Sequence, residues 1–281
     1  HRNYYNLGNI IFRKLRYCAV LKLASILALF LKNLLGKVRE FSYMGNRREG
    51  RGAYMNEQKE KNIYVPLMHP SEMLDELHKY PVIYLPVGSI EWHNEHLPVG
   101  TDTLHASEIS TRLARKTGGV VMPPFWWNTG SCHRHPVTYY MKEEFYEECL
   151  QSVCMGVAEM PCRVLVLVNG HGGENQNNFM LTVSCRLNSI GLPYKTIAAD
   201  PYHLMGDYVY QIDHADTVET SLSMELIPEH VHMEREIGKD LYSGEFPFAA
   251  GPPDRETGNS FWTEYEKRAL RLIRKTLEEI A

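Results

Sequence analysis

A chain of 281 residues, 44% hydrophobic and 23% charged, has ample apolar material for a buried core, which excludes disordered, collagen-like and low-complexity classes. The net charge of −4 hides a split: residues 1–54 carry 11 Lys/Arg against Glu40 and Glu49, while residues 55–281 carry 19 basic and 32 acidic groups. A body this acidic repels phosphate backbones, so a nucleic-acid partner is not expected.

The first element in chain order is the basic segment 1–54. Its apolar run Ala19–Leu31 is broken by Lys22 and falls short of the ~20 residues of a membrane span. Lys32, Asn33 and Lys37 stand where a secretory signal would place small residues before cleavage. A basic amphipathic surface helix is one reading, since Leu21, Leu23, Ile26, Leu29 and Phe30 fall near helical spacing. The other is that 1–54 is a non-native or disordered extension. Arg47-Arg48-Glu49-Gly50-Arg51-Gly52 can be spelled in purine-only codons, as a translated ribosome-binding site would be, and Met55 follows. The expectation is a functional domain over 55–281 that starts at Met55.

Within that body, Val82–Gly88 reads as a buried strand ended by glycine. A helix is expected over Leu104–Lys116, a strand over Val120–Met122, and a Pro/Trp-rich loop over Pro123–Pro136. Lys142–Met160 is expected to be helical with Phe145, Cys149, Val153 and Val157 facing inward. Five branched apolar residues, Val164–Val168, predict a strand buried on both faces. A helix to about Ser189, a strand over Tyr194–Ala199 and a terminal helix over Ser260–Ile280 complete the pattern. Alternating strands and helices predict an α/β fold, a three-layer α/β/α sandwich around a mostly parallel sheet. Its site is expected beyond the carboxyl ends of the strands. The six cysteines (Cys18, Cys132, Cys149, Cys154, Cys162, Cys185) contain no C-x-x-C pair, so reduced thiols in a cytoplasmic setting are expected rather than a disulfide framework.

Eight of the 13 histidines lie between positions 93 and 214, in polar clusters that follow the strands. In Ser89-Ile90-Glu91-Trp92-His93-Asn94-Glu95-His96, extended chain turns Glu91 and His93 to one side, and Leu97-Pro98-Val99-Gly100 can return Asp102 beside them. Two carboxylates and an imidazole suit zinc, manganese or iron. The alternative is that Glu91, Glu95 and His96 are solvated loop residues. Asn169-Gly170-His171-Gly172-Gly173 puts His171 at the mouth of the most hydrophobic strand and lacks the Lys-Ser/Thr of a phosphate loop. Asp213-His214-Ala215-Asp216-Thr217-Val218-Glu219-Thr220-Ser221 reads as a helix start rich in acids, from which Glu219 can also bind metal.

Together these clusters resemble the creatininase (creatinine amidohydrolase) family, whose motifs are P-x-G-S-x-E-x-H-G-x-H-L-P-x-x-T-D, N-G-H-G-G-N and H-A-G-x-x-E-T-S. Their counterparts here are Pro86–Asp102, Asn169–Gly173 with Asn175, and His214–Ser221, in the same order, and the resemblance runs over roughly Tyr64 to Ile280. It implies a two-metal hydrolase, often a homohexamer, that cleaves a C–N bond of a small cyclic amide or formamide-like substrate with metal-activated water. Glu91, Asp102 and His171 would bind one divalent ion, zinc, manganese or iron. His93 and the bridging Asp102 would bind the other, with Glu219 the preferred last ligand and Glu174 the next choice. His214 matches the catalytic histidine and would pass a proton to the leaving nitrogen, with Glu219 beside it. Trp126, Trp127, Ser131, His133 and His135 on the Pro-rich loop would wall the substrate pocket or pack on a subunit interface. Tyr210 stands where creatininase has a pocket tryptophan, which disfavours creatinine itself. The sequence departs from the family in Asn94-Glu95 for Gly-Pro, Asp216 for Gly, and one residue inserted after Gly173. Two further readings are a hydrolase that opens a cyclic ketone or carbocyclic sugar derivative, and a metal-binding scaffold without turnover. A serine hydrolase is not expected, because no G-x-S-x-G elbow occurs.

Overall fold

Two strongly hydrophobic stretches of the body lie side by side. In a computed structural model, which describes residues 61–129, 135–208, 213–235, 237–238, 248 and 250–280, strands β1 (Val82–Val87) and β3 (Val164–Asn169) pair in parallel along their full length. The register runs from Val82 opposite Val164 to Val87 opposite Asn169. Strands β2 (Val120–Val121) and β4 (Lys195–Ala198) flank them, so the sheet is parallel throughout in the order β2-β1-β3-β4.

Side chains alternate across such a sheet, and both faces are covered. Val82, Tyr84, Val164, Val166 and Val168 face Ile109 and Leu113 of α2 (Thr101–Thr117), Leu222 of α6 (Thr217–Leu226), and Phe261, Tyr265 and Ile273 of α7 (Arg255–Glu279). Ile83, Leu85, Val87, Leu165 and Leu167 face Leu77 of α1 (Pro70–Lys79), Tyr146 and Leu150 of α3 (Glu143–Met155), and Met180, Val183 and Leu187 of α4 (Glu174–Ser189). These are the three expected layers. A one-turn helix, α5 (Pro201–Leu204), follows β4, and its N-cap Asp200 accepts the Tyr202 N–H at 2.7 Å.

The inward face of α3 differs from the expectation. Tyr146, Leu150 and Cys154 are fully buried, whereas Phe145 is 59% exposed and Cys149 and Val153 also lie outside the core. The two stripes have the same spacing one residue apart, and partners from elsewhere choose between them. Phe125 and Phe179 pack on the Tyr146 ring, and the Tyr194 hydroxyl donates to the Cys154 carbonyl. The α-helix also stops at Met155 and continues as a 3-10 turn, Gly156–Glu159, which buries Val157. The terminal helix begins at Arg255, earlier than expected, because the Asp254 carboxylate caps it through the Thr257 N–H at 2.8 Å. Among the described residues, Cys149, Cys154, Cys162 and Cys185 are free thiols, and no helix is long and apolar enough to cross a membrane. The extension 1–54 and the start at Met55 lie outside the described residues, as do Cys18 and Cys132.

Candidate metal centre

The carboxyl ends of β1 and β3 deliver the first two motifs. After β1, the Gly88 N–H donates to the Phe125 carbonyl at 3.0 Å, and a Cβ on Gly88 would lie 2.4 Å from the Thr103 Cα. Only glycine permits that approach. The Glu91 N–H donates to the Val99 carbonyl at 2.8 Å and closes the loop, so Asp102 returns on the first turn of α2 beside Glu91 and His93. Asn94, where the family has glycine, holds φ +59°, a left-handed conformation that asparagine tolerates. Its amide clasps Gly238, donating to the carbonyl and accepting the N–H, each at 2.9 Å. After β3, the Gly170 N–H donates to the Val87 carbonyl at 2.9 Å, which ties the second motif to the first.

Among the described residues two groups could hold a cation, Glu91/Asp102/His171 and His93/His214/Glu219, with ligand atoms within 4.8 Å of one another in each. Asp102 faces both. Its Oδ2 is 2.9 Å from His171 Nδ1 and its Oδ1 is 3.0 Å from His93 Nε2. Glu91 Oε2 lies 3.0 Å from His171 Nδ1, and Glu219 Oε2 lies 3.7 Å from His93 Nε2. Glu91, His93, Asp102, His171 and Glu219 are all buried.

Two of the three imidazoles are oriented by main-chain carbonyls. His93 Nδ1–H donates to the Glu91 carbonyl at 3.0 Å, which leaves Nε2 facing the carboxylates. His214 Nε2–H donates to the Trp92 carbonyl at 2.9 Å, so the neutral ring offers its Nδ1 lone pair. The Ser89 hydroxyl donates to Asp102 Oδ2. The Ala215 N–H donates to Glu219 Oε2 at 2.6 Å, and the Asp213 carboxylate accepts the Val218 and Glu219 N–H groups at 3.0 and 2.9 Å at the start of α6.

Burial alone would push Asp102 and Glu91 up, but His93 and His171 hold Asp102 well below the carboxylate range, and chiefly His171 brings Glu91 to about 2. Burial alone would lower His93 and His171, and the surrounding carboxylates instead raise both to about 10. Glu219 is pushed up to about 8 by burial, only partly offset by His93. Without a cation, then, protons on the imidazoles balance the buried acids. Three carboxylates with three imidazoles and no thiolate form a donor set that suits zinc, manganese or iron at both positions.

Of the loop alternatives, Glu91 and His96 are buried and only Glu95 is exposed; His96 Nε2 pairs with the Thr220 hydroxyl at 2.8 Å. Trp126, 36% exposed, sets its ring against Gly100 two residues before Asp102, while Trp127 is 47% exposed. His135 is buried and stacks on Trp92, ring centroids 4.1 Å apart, behind His214. Ser131, His133 and Tyr210 lie outside the described residues, as does the side chain of Glu174. Sequence reasoning passed over Ser89, Trp92, Asn128 and Tyr202. Tyr202 packs on Gly172, and burial together with Glu219, Asp102, Asp200 and Glu91 pushes its phenol well above 10, so it stays a neutral donor. Its signal was a tyrosine at the carboxyl end of a strand, where sites collect.

A family model described as Creatininase: Creatinine amidohydrolase matches residues 67–262. The chain belongs to the creatininase family. Among relatives of known activity, it is 31% identical over 186 residues to the 3-dehydro-scyllo-inosose hydrolase of Thermotoga maritima, covering 61% of this chain and 58% of that protein. It is 26% identical over 176 residues to the creatinine amidohydrolase of Pseudomonas putida, covering 55% of this chain and 67% of that protein. The chain thus spans less than two thirds of the length of the first of these. The crystal structure of creatininase superposes with TM-score 0.65 at 20% identity over 76% of this chain and 98% of that one, the same three-layer fold. Creatininase forms described as Mn and, for a point mutant, as Zn-Zn type superpose at TM-scores of 0.64 and 0.60, with the same identity and coverage.

Proposed function

We propose that this creatininase-family chain is a metal-dependent hydrolase with two adjacent divalent cations, acting on a small cyclic amide or formamide-like substrate. The observation that carries the reading is Asp102, whose two oxygens address His171 and His93, one donor group each, at 2.9 and 3.0 Å. Glu91, Asp102 and His171 would hold one ion, and His93, Asp102 and Glu219 the other. When bound, the two ions supply a nucleophilic water at neutral pH and polarise the carbonyl it attacks. The chain's own residues do the rest. His93 and His214 are held in single tautomers by the Glu91 and Trp92 carbonyls, so no reorientation is needed during turnover. His214, half-buried, moves a proton to the leaving nitrogen through Nδ1, the nitrogen turned away from the Trp92 carbonyl. Trp126, Trp127, Ser131, His133 and Tyr210 belong to the substrate wall in this reading. The proposal also takes the protein to be a cytoplasmic homo-oligomer, hexameric by family resemblance. The four free cysteines among the described residues support a reducing setting, and the exposed Trp127, Tyr139, Tyr140 and Phe145 support an apolar contact surface.

A second reading has its own support. The 31% identical relative is named for hydrolysis of a cyclic inosose, so the same residues would open a cyclic ketone or carbocyclic sugar derivative at a C–C bond. One experiment addresses both. The full chain is purified without chelator, its metal content is measured by mass spectrometry, and it is assayed on cyclic amides and formamides and, separately, on cyclic diketones. About two transition-metal ions per chain with turnover of the first panel is the expected result. Turnover of the diketones alone selects the second reading. Bound metal without turnover of either panel leaves the metal-binding scaffold, and no bound metal after addition of zinc or manganese overturns all three.

A further inference from the structure

We infer that Asn128 positions His171, its side-chain carbonyl accepting the Nε2–H of the ring and so fixing the face that Nδ1 turns to the carboxylates. The inference rests on the metal reading above, because a ring that binds a cation through Nδ1 carries its proton on Nε2. That proton is buried with the ring and needs an acceptor.

Asn128, fully buried, stands 3.5 Å from His171 Nε2 through its Nδ2, and its Oδ1 is a buried acceptor with no hydrogen-bond partner among the described residues. Oxygen and nitrogen of an amide occupy the same space, and their assignment follows from the hydrogen bonds they can make. A donor facing an N–H is a mismatch, and turning the amide through 180° removes it. Oδ1 then receives the Nε2–H, and the amide nitrogen takes the place of the orphan.

Asn128 is also held where such a role requires. Its carbonyl accepts the Met141 N–H at 2.7 Å, and the next residue, Thr129, donates its N–H to Gln176 Oε1 at 3.4 Å. Gln176 Nε2 donates to Asn169 Oδ1 at 2.8 Å, and Asn169 Nδ2 donates to the His171 carbonyl at 2.8 Å. One buried chain of amides thus registers the Trp126–Thr129 segment to the His171 turn, 43 residues away in sequence. A carbonyl or carboxylate on the second nitrogen of a metal-binding histidine fixes its tautomer and raises its basicity, and loss of that partner typically weakens metal binding by about 10–100-fold.

The test uses the full chain as wild type, Asn128→Leu and Asn128→Asp, with the zinc Kd measured by chelator competition. Asn128→Leu keeps the shape and removes the acceptor, and a Kd weaker by about 10–100-fold is expected. Asn128→Asp keeps the acceptor and is expected to bind within a few-fold of wild type. A separate readout is the imidazole N–H of His171 in the zinc-loaded wild type, expected as an exchange-protected downfield proton assigned to Nε2 by 15N NMR. That signal keeps the inference open to refutation if Asn128→Leu does not fold. Wild-type zinc affinity in Asn128→Leu, or a proton on Nδ1 in place of Nε2, overturns the assignment of Asn128. A wild-type chain that binds no zinc overturns the metal reading itself, and this inference with it.

Discussion

Replacing Gly170 by alanine adds one methyl group at a close main-chain contact between the Asp102 and His171 motifs. A Cβ there would sit 2.0 Å from the Asp102 carbonyl oxygen, 2.9 Å from its carbon and 3.3 Å from the Ala106 nitrogen. Ordinary contact begins near 3.4 Å, so about 1.4 Å must be recovered from atoms that are all main chain. The Gly170 side cannot yield readily, because its N–H is bonded to the Val87 carbonyl at the end of a full-length parallel ladder. The displacement therefore falls on the first turn of α2 and carries Asp102 with it. Overpacking of this kind costs about 1–3 kcal/mol, which for a body of this size lowers Tm by roughly 2–12 °C at about 2–4 °C per kcal/mol. In the proposed two-ion reading, misplacing Asp102 by about 1 Å is worth roughly 100-fold in rate. Thermal unfolding, bound zinc and turnover should be measured together, with Gly156→Ala as control. Gly156 has φ −60° and nothing within 4 Å of an added Cβ, so alanine there should leave bound zinc and turnover intact and add about 0.4–1 kcal/mol of stability. A Gly170→Ala protein with wild-type Tm and full metal content would refute the claim that the His171 turn fixes Asp102.

Three further outcomes are expected. Leu150→Ala, at a fully buried site, should cost about 2–5 kcal/mol, whereas Phe145→Ala on the exposed stripe should stay within about 0.5 kcal/mol; urea unfolding compares them, and the reverse order would restore the other helix face. Asp102→Asn should reduce bound metal to less than one ion per chain in elemental analysis, and a fully metallated, active variant would remove its bridging role. Metal-stripped protein should lose stability as pH rises from about 7 to 10. His93 and His171, raised to about 10, contribute fully below the ordinary histidine value and lose that contribution through about 10. Glu219, raised to about 8, favours the folded state only while protonated, so its contribution falls in the same direction. Scans of Tm against pH should therefore slope downward without metal and flatten with zinc; a parallel pair of curves would dissociate these groups from stability.

How much of this was legible in the sequence depended on whether the deciding partner was near in the chain. Val164–Val168 could only be a strand covered on both faces, because five branched apolar residues leave no polar side for solvent. That Glu91, His93, Asp102 and His171 gather in one place was legible because they stand in short polar runs just beyond strands, and the structure buries them together. The inward face of α3 was not legible: Phe145-Cys149-Val153 and Tyr146-Leu150-Cys154 satisfy helical spacing equally, and Phe125, Phe179 and Tyr194 choose between them. Helix α1 gave little warning, since its first turn is bonded by Glu72 to the His69 N–H rather than by a serine or threonine cap. Asn128 left no trace either, because an asparagine after two tryptophans acquires meaning only beside His171.

Two of the positions where this chain departs from the family motifs turn out to be moorings. Asn94 grips Gly238 with both ends of its amide, and Asp216 accepts the N–H of Phe248, while the Thr217 hydroxyl donates to the Gly251 carbonyl at 2.6 Å. Gly238 is thus tied to the His93 loop, and Phe248 and Gly251 to the His214–Glu219 turn. A glycine at either position, as the family motifs carry, has no side chain with which to hold them. Changes at Gly238, Phe248 or Gly251 have a direct route to the His93 loop and the His214–Glu219 turn without altering a single donor atom. Substrate preference could drift along that route while the ligands stay the same.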